Sequence, residues 1–311
     1  MAYQLPEINA AIRADAAAFV SRCDEQYQSR VTRAADRILD RIQQSPIVLL
    51  SGPSGSGKTT SALKLEEELE HRGVETHAVA LDNYYLNRDP ETTPRTPEGD
   101  YDLESPLCLD MKLLDETFTR LSRGEEVLIP HFDFANQRRS DRVTPLKLGK
   151  DEIVIFEGIH ALGPGIAGPH PEATKLYVSA RSNVMEDGVL RFNGTWMRLS
   201  RRAVRDYNFR GNNVAETLVM WANVRRGEKL YISPYKDSAD VTIDSSLPYE
   251  VSVMKNYAAP ILAAVPKDNP RSAELLELCA AFDFFETIDP ALVPKNSLLR
   301  EFIGGGSYKY H

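Results

Sequence analysis

The stretch Gly52-Pro53-Ser54-Gly55-Ser56-Gly57-Lys58-Thr59 decides the fold of this 311-residue chain. It matches the pattern G-x-x-x-x-G-K-[ST], in which backbone N–H groups and the N-terminus of the following helix surround an anion. Apolar residues 47–50 precede it, and apolar side chains recur at helical spacing over residues 62–69. This context predicts an α/β fold, with the parallel sheet of a P-loop NTPase flanked by helices.

Within the loop each position has an expected task. Lys58 should reach the β- and γ-phosphates of a bound nucleotide, and Thr59 should hold Mg²⁺. A glycine-rich turn without a ligand is the alternative, but all eight pattern positions and both flanks agree with the phosphate loop. The predicted nucleotide-binding set is Gly52, Pro53, Ser54, Gly55, Ser56, Gly57, Lys58, Thr59 and Thr60.

Composition limits the function classes. The formal net charge of −8 and the pI near 5.4 argue against a general nucleic-acid binder, which needs a basic surface. Cys23, Cys108 and Cys279 have no spacing typical of zinc sites or disulfide frameworks, and we expect a reducing cytoplasm. Neither a secretion signal nor a membrane span is expected.

The chain divides into three predicted parts. Residues 1–45 form an N-terminal helical extension, because residues 7–44 contain no glycine and space their apolar side chains helically. Residues 46–262 form the P-loop core, and residues 263–311 form a C-terminal helical extension. Packing on the core or between subunits is the expected role of both extensions.

Two acidic residues stand directly after predicted strands. Asp82 follows the strand at 74–81, and Glu157 follows the apolar run at 153–156. Ligands of open parallel sheets bind at the carboxyl ends of the strands, so Asp82 is a candidate catalytic base and Glu157 a candidate acid of the Mg²⁺ site. An ordinary strand-end carboxylate is the alternative for Glu157. His160 is expected to be structural, because no second histidine lies at ligand spacing.

Two further stretches could contact an acceptor substrate. Asp100-Tyr101-Asp102 lies in the long polar loop 87–106 and could meet a polar substrate or form a solvated acidic turn. Residues 131–139 alternate aromatic and polar side chains. That pattern suits a planar ligand that is stacked and hydrogen-bonded, and it equally suits a half-buried hairpin.

Four arginines stand at i, i+3, i+4 and i+7, which places them on one face of a helix. Like charges so close together repel unless an anion meets them, so we interpret the helix as a lid that neutralises transferring phosphates. A solvated basic face and a nucleic-acid-binding helix are the alternatives. The four are Arg198, Arg201, Arg202 and Arg205.

These motifs occur in one order: GPSGSGKTT, LDNYY, YDLESP, IPHFDFANQRR, IVIFEGIHAL and RLSRRAVRDYNFRG. Over residues 46–260 they resemble the uridine kinase family within the uridine kinase and phosphoribulokinase group. The resemblance implies an enzyme of pyrimidine salvage that transfers the γ-phosphoryl group of ATP or GTP, with Mg²⁺, to the 5′-hydroxyl of uridine or cytidine. Many members are homotetramers, so a homo-oligomer is implied as well.

The resemblance also implies residue roles. Asp82 would accept the 5′-hydroxyl proton, Tyr85 would lie in the substrate pocket, and Asp102 would hold the ribose hydroxyls. Glu157 matches the metal-site acid, and the four arginines belong to the lid. Contacts to the base and the sugar would come from Phe132, Phe134, Gln137 and Arg139.

Two positions depart from the family's usual residues, since Tyr is common where this chain has Phe132 and His where it has Gln137. Gln137 carries a donor and an acceptor, so it can serve uracil or cytosine. A same-group kinase acting on a purine nucleoside, a sugar phosphate or a pantothenate-like acid is the nearest alternative. A P-loop ATPase or regulatory nucleotide-binding protein is the alternative from another class.

Overall fold

The computed structural model describes residues 2–134, 136–266, 268–269 and 271–310. Its centre is a five-stranded parallel sheet made of β2 (Ile47–Ser51), β3 (Thr76–Ala80), β6 (Ile153–Glu157), β7 (Thr174–Ser179) and β10 (Val241–Asp244). The strands lie side by side in the order β10-β7-β2-β6-β3. The predicted parallel sheet flanked by helices is therefore confirmed.

Helices cover both faces of this sheet. The N-terminal strand β1 (Ala2–Gln4) leads into α1 (Leu5–Leu39), and α2 (Lys58–His71) follows the phosphate loop. The helices of the later chain are α3 (Met111–Ser122), α4 (Pro164–Ala167), α5 (Gly194–Phe209), α6 (Val214–Gly227), α7 (Glu250–Ala263), α8 (Ser272–Phe282) and α9 (Arg300–Ile303).

Two smaller sheets complete the fold. An antiparallel hairpin joins β4 (Val127–Asp133) to β5 (Arg138–Leu146), with an irregularity between Pro130 and Phe132. In the other sheet, β8 (Asn183–Glu186) pairs with β1 on one side and with β9 (Val189–Phe192) on the other. The sequence analysis predicted neither β1 nor the β8-β9 hairpin, because all three strands are short.

Helix α1 contains one break. Asp15 has extended backbone angles (φ −166°, ψ 96°), and its carboxylate accepts a hydrogen bond from the Ala18 N–H at 2.9 Å. Asp15 thus acts as the N-cap of the second half of the helix. The N-terminal extension is therefore two helical segments separated by a kink at Asp15, in keeping with the helical character that the glycine-free sequence indicated.

Both extensions pack into the core of the sheet. Buried side chains of α1, of α8 and of the C-terminal residues Leu298, Leu299 and Phe302 belong to the same hydrophobic cluster as Val48 and Leu176 of the sheet. The division at residues 45 and 262 stays a prediction. None of the described helices combines the length and the apolarity that crossing a membrane requires.

Candidate active site

The strand register brings three sequence motifs to one edge of the sheet. Glu157 at the end of β6 lies between Leu50 of β2 and Ala80 of β3. The phosphate loop follows β2 directly, and Asp82 lies two residues beyond β3. Because all three strands run parallel, the loop and the two carboxylates meet at their carboxyl ends, where ligands of such sheets bind.

The phosphate loop is tightly framed by neighbouring backbone. Gly55 and Gly57 have φ of +74° and +82°, a region that favours glycine. A Cβ on Gly52 would lie 2.0 Å from the carbonyl oxygen of Val178. These glycines are therefore required by the geometry of the loop, and loops of this kind surround phosphates with backbone N–H groups.

A cavity of about 420 Å³ opens in front of this loop, a size typical of small-molecule sites. Thirteen residues of the predicted site line it, ten of them from the phosphate loop and the predicted acceptor pocket. These ten are Ser54, Gly55, Gly57, Lys58 and Thr59 of the loop, with Asp82, Tyr85, Phe132, Phe134 and Gln137. Glu157, Arg202 and Arg205 line it as well.

The charged groups beside the phosphate loop shift one another's pKa values by electrostatic interaction. Burial lowers the pKa of Lys58, opposed first by Glu157 and then by Asp82. Burial raises the pKa of Asp82, opposed mainly by Lys58. Burial also raises the pKa of Glu157 to about 7, and this carboxylate accepts a hydrogen bond from the Thr59 hydroxyl at 3.1 Å. A cation binding beside Glu157 would therefore favour its charged form.

Thr59 and Glu157 suit Mg²⁺, which prefers oxygen ligands and is usually held by one or two carboxylates together with substrate phosphates. Within the described ranges, no group of three or more His, Cys, Asp or Glu side chains is arranged as a metal site. The Thr59 and Glu157 pair thus fits a cation that a bound nucleotide helps to hold, rather than a cage made entirely by protein.

Three aromatic rings that contact one another line the cavity. The ring centroid of Phe132 lies 5.6 Å from that of Tyr85 and 5.1 Å from that of Phe134. Gln137, beside them, has a positive φ of 52° and donates from Nε2 to the Phe134 carbonyl oxygen at 2.6 Å. The hairpin interpretation of this stretch is therefore confirmed, and the hairpin provides the aromatic wall of the cavity, whereas the binding of a planar ligand there stays a prediction.

The four arginines of α5 fall into two pairs. Arg202 and Arg205 line the cavity, and Arg202 donates to the Ser54 hydroxyl at 2.8 Å. Arg198 and Arg201 are buried in ion pairs with Glu228 and Glu250. They also donate to the phosphate loop, to the Ser54 carbonyl oxygen at 3.4 Å and the Gly55 carbonyl oxygen at 3.2 Å. Their charges are thus already balanced within the protein.

Asp102 and Arg139 lie outside the described lining of the cavity. Oδ2 of Asp102 accepts a hydrogen bond from the Tyr231 hydroxyl at 2.9 Å and is 3.1 Å from Nη1 of Arg226. Arg139 pairs with Asp110 at 3.0 Å and donates to the carbonyl oxygens of Tyr84 and Tyr85. The substrate contacts expected of Asp102 and Arg139 stay predictions, and both side chains are bonded to other residues of the protein in this structure.

Sequence reasoning did not assign four charged residues of the lining: Arg88, Glu104, Arg210 and Glu301. Glu104 stands two residues after Asp102 and Arg210 directly after α5, so both lay inside motifs that were already recognised. Nothing in the sequence pointed to Glu301, which reaches the site from the C-terminal extension. His160 is buried, and burial lowers its pKa to about 4, in keeping with a structural role.

Comparison with known proteins gives three findings. Residues 47–185 match the family model described as the phosphoribulokinase and uridine kinase family. A uridine kinase of Macrococcus caseolyticus is 28% identical over 203 residues, which are 65% of this chain and 89% of that protein. A uridine kinase of Staphylococcus aureus (strain JH9) is 29% identical over 203 residues, 65% of this chain and 88% of that protein.

Among solved structures, a putative fructose transport system kinase from Silicibacter sp. TM1040 superimposes with a TM-score of 0.52 at 20% sequence identity. The superposition covers 68% of this chain and 98% of that one. At this identity the likeness concerns the fold alone, and it agrees with the parallel sheet flanked by helices described above.

Proposed function

Residues 47–185 belong to the phosphoribulokinase and uridine kinase family, and from that premise we propose that this kinase transfers the γ-phosphoryl group of ATP or GTP to the 5′-hydroxyl of uridine or cytidine. The observation that carries the proposal is one cavity with two kinds of lining. The phosphate loop and its charged neighbours line it, and so do the aromatic side chains of Tyr85, Phe132 and Phe134.

In this cavity, the loop N–H groups and Lys58 would bind the donor's phosphates. Thr59 and Glu157 would hold Mg²⁺, which supplies charge neutralisation on the phosphate oxygens. Arg202 and Arg205 face the same space and can balance the charge that develops during transfer. Arg198 and Arg201 act as positioning residues, because they hold the carbonyl oxygens of Ser54 and Gly55.

For the acceptor, the aromatic rings provide flat apolar surfaces for a planar base. Oε1 and one N–H of Gln137 have no hydrogen-bond partner in the described part of the chain, so Gln137 can accept from a cytosine amine or donate to a uracil carbonyl oxygen. Asp82 would orient the attacking hydroxyl and receive its proton. Since phosphoryl transfer proceeds through a loose transition state, positioning by Asp82 matters more than its basicity.

A phosphorylated acceptor such as a sugar phosphate is the second candidate. Arg88 lines the cavity, and its backbone N–H donates to the Gln137 carbonyl oxygen at 3.1 Å. Its guanidinium lies 4.4 Å from the ring centroid of Tyr101. A cation in this part of the lining would suit an anionic acceptor better than a neutral nucleoside.

The deciding experiment measures ADP release from MgATP with uridine, cytidine, adenosine, inosine, ribulose 5-phosphate or pantothenate, and with no acceptor. Stimulation by uridine or cytidine alone supports the proposal. Stimulation confined to ribulose 5-phosphate favours the second candidate, and release that is equal without any acceptor indicates an ATPase.

Two variants test the residue roles. Asp82→Asn should lower kcat by about 10²-fold or more, whereas Asp141→Asn, at an exposed carboxylate of β5 outside the described cavity lining, should leave it unchanged. Phe132→Ala should raise the KM for the nucleoside about tenfold, from the worth of one base–aromatic stack. Leu128→Ala is its control, because Leu128 lies exposed on the same strand. An active Asp82→Asn enzyme would contradict the assignment of the base.

We also propose that the protein is a cytoplasmic homo-oligomer, in keeping with the family resemblance. Light scattering after gel filtration measures the subunit number, and a monomer at micromolar concentration would contradict that part of the proposal.

A further inference from the structure

The C-terminal extension reaches the phosphate loop through Glu301. Oε2 of this carboxylate accepts hydrogen bonds from the Thr60 N–H at 3.2 Å and from the Thr60 hydroxyl at 2.6 Å. Thr60 lies in the first turn of α2, directly after the loop. This helix starts at Gly57 without a side-chain cap and has no acidic residue in its first turn. Glu301, 241 positions away in the sequence, therefore provides the hydrogen-bond acceptor that the first turn of α2 lacks in its own side chains.

This carboxylate is held rigidly. Residues on both sides of it, Leu299, Phe302 and Ile303, are buried in the main hydrophobic cluster. The Arg201 guanidinium stacks on the Phe302 ring at 5.1 Å. Arg300 ties the segment to itself by donating to the carbonyl oxygens of Pro290, Val293 and Gly304. Releasing the segment would expose all of this apolar surface, so Glu301 is a fixed part of the site and not a loose flap.

One oxygen of Glu301 stays available. The side chain is 8% exposed and lines the cavity beside Gly55, Gly57 and Lys58. Its Oε1 has no hydrogen-bond partner among the residues that the structure describes. A carboxylate accepts hydrogen bonds and repels phosphate. Its partner in a bound nucleotide must therefore be an N–H or O–H group that lies just past the phosphates.

We propose that Glu301 selects the phosphate donor by accepting a hydrogen bond from a ribose hydroxyl of the nucleoside triphosphate. The ribose follows the α-phosphate directly, so its hydroxyls are the donors nearest to the phosphate cradle. The Thr60 N–H already donates to the Glu301 carboxylate. The phosphate-binding N–H groups of the loop therefore end before Thr60. The inference rests on the proposed function only in that it requires a nucleoside triphosphate in this site.

The test measures equilibrium binding of MgATP, Mg-2′-dATP, Mg-3′-dATP, MgGTP and Mg-tripolyphosphate by calorimetry, without any acceptor. The wild-type protein should bind ATP at least about tenfold more tightly than one of the two deoxy nucleotides, since a hydrogen bond to a charged group is lost. Glu301→Gln should reduce that preference severalfold and leave tripolyphosphate binding unchanged or slightly stronger. Glu277→Gln is the matched control, because Glu277 is an exposed carboxylate of the same extension.

Each outcome has a distinct meaning. Equal affinity of the wild-type protein for ATP and both deoxy nucleotides would overturn the proposal. So would a Glu301→Gln variant that binds every nucleotide more tightly, because the carboxylate would then only oppose the phosphates. A preference that follows the base, ATP against GTP, and not the ribose would move the contact to a base amine and contradict the ribose assignment. If no triphosphate binds, the kinase proposal itself fails.

Discussion

The buried ion pair between Arg201 and Glu250 supports the phosphate loop. Removing the negative charge of Glu250 should lower the free energy of unfolding substantially. Both side chains are fully buried. Nη2 of Arg201 donates to Oε2 of Glu250 at 2.6 Å, while its other donors reach the carbonyl oxygens of Gly55 and Ser245 at 3.2 and 2.8 Å. The perturbation is Glu250→Gln, which keeps the shape of the side chain and removes its charge.

The expected loss of stability follows from the charge of Arg201 that remains in the variant. Arg201 keeps its charge at every accessible pH, so the variant contains a buried guanidinium without a counter-ion. Removing one partner of a buried pair costs about 3–5 kcal/mol. A whole domain is stabilised by only about 5–15 kcal/mol, so the free energy of unfolding should fall by a large fraction.

Urea unfolding, followed by circular dichroism and by tryptophan fluorescence, measures this loss. Coincident transitions from the two probes justify a two-state treatment, and an unchanged slope shows that stability alone has changed. Glu286→Gln is the control. Its pair with Arg13 is solvent-exposed, at 42% and 60% of the two side chains, and should contribute less than about 1 kcal/mol.

The same variant should weaken the binding of MgATP, because Arg201 also positions the carbonyl group of Gly55. A loss of stability below about 1 kcal/mol, equal to that of the control, would refute the reasoning. It would mean that the surroundings of Arg201 relax or admit water, and that this arginine is not the rigid support of the loop.

Three further predictions concern single positions. Gly57→Ala should lower the melting temperature and weaken ATP binding, because φ is +82° and the new Cβ would lie 2.7 Å from Cδ1 of Leu298. Burial raises the pKa of Glu157 to about 7, so the folded protein holds this proton more tightly than the unfolded chain does. The resulting stabilisation is complete below the ordinary carboxyl pKa and is lost as the pH rises through about 7. Glu157→Gln should therefore make the melting temperature depend less on pH, measured from pH 4 to 8 without nucleotide. Asn213→Ala removes the capping box that Asn213 forms with Glu216 at the start of α6 and should cost about 1 kcal/mol in urea unfolding, whereas an unchanged midpoint would show that tertiary packing alone holds that turn.

The sequence by itself determined the parts of the site that depend on local backbone geometry. The phosphate loop, its flanking strand and helix, and the carboxylates Asp82 and Glu157 were predicted because each motif encodes its own conformation within a few residues. Parallel pairing of the strands then places all of them at one edge. The same locality explains why the sequence could place the four arginines on one face of a helix.

Tertiary packing alone decided which of these side chains face the cavity. Residues i, i+3, i+4 and i+7 share a face, yet Arg198 and Arg201 meet Glu228 and Glu250, which no local pattern connects with them. Within the long loop 87–106, Glu104 lines the cavity while Asp102 pairs with Arg226. The contact between Glu301 and Thr60 spans 241 positions and arises because the C-terminal segment buries its apolar side chains beside α5. A motif fixes the backbone near itself, whereas the partner of a buried charge is chosen by the packing of the whole chain.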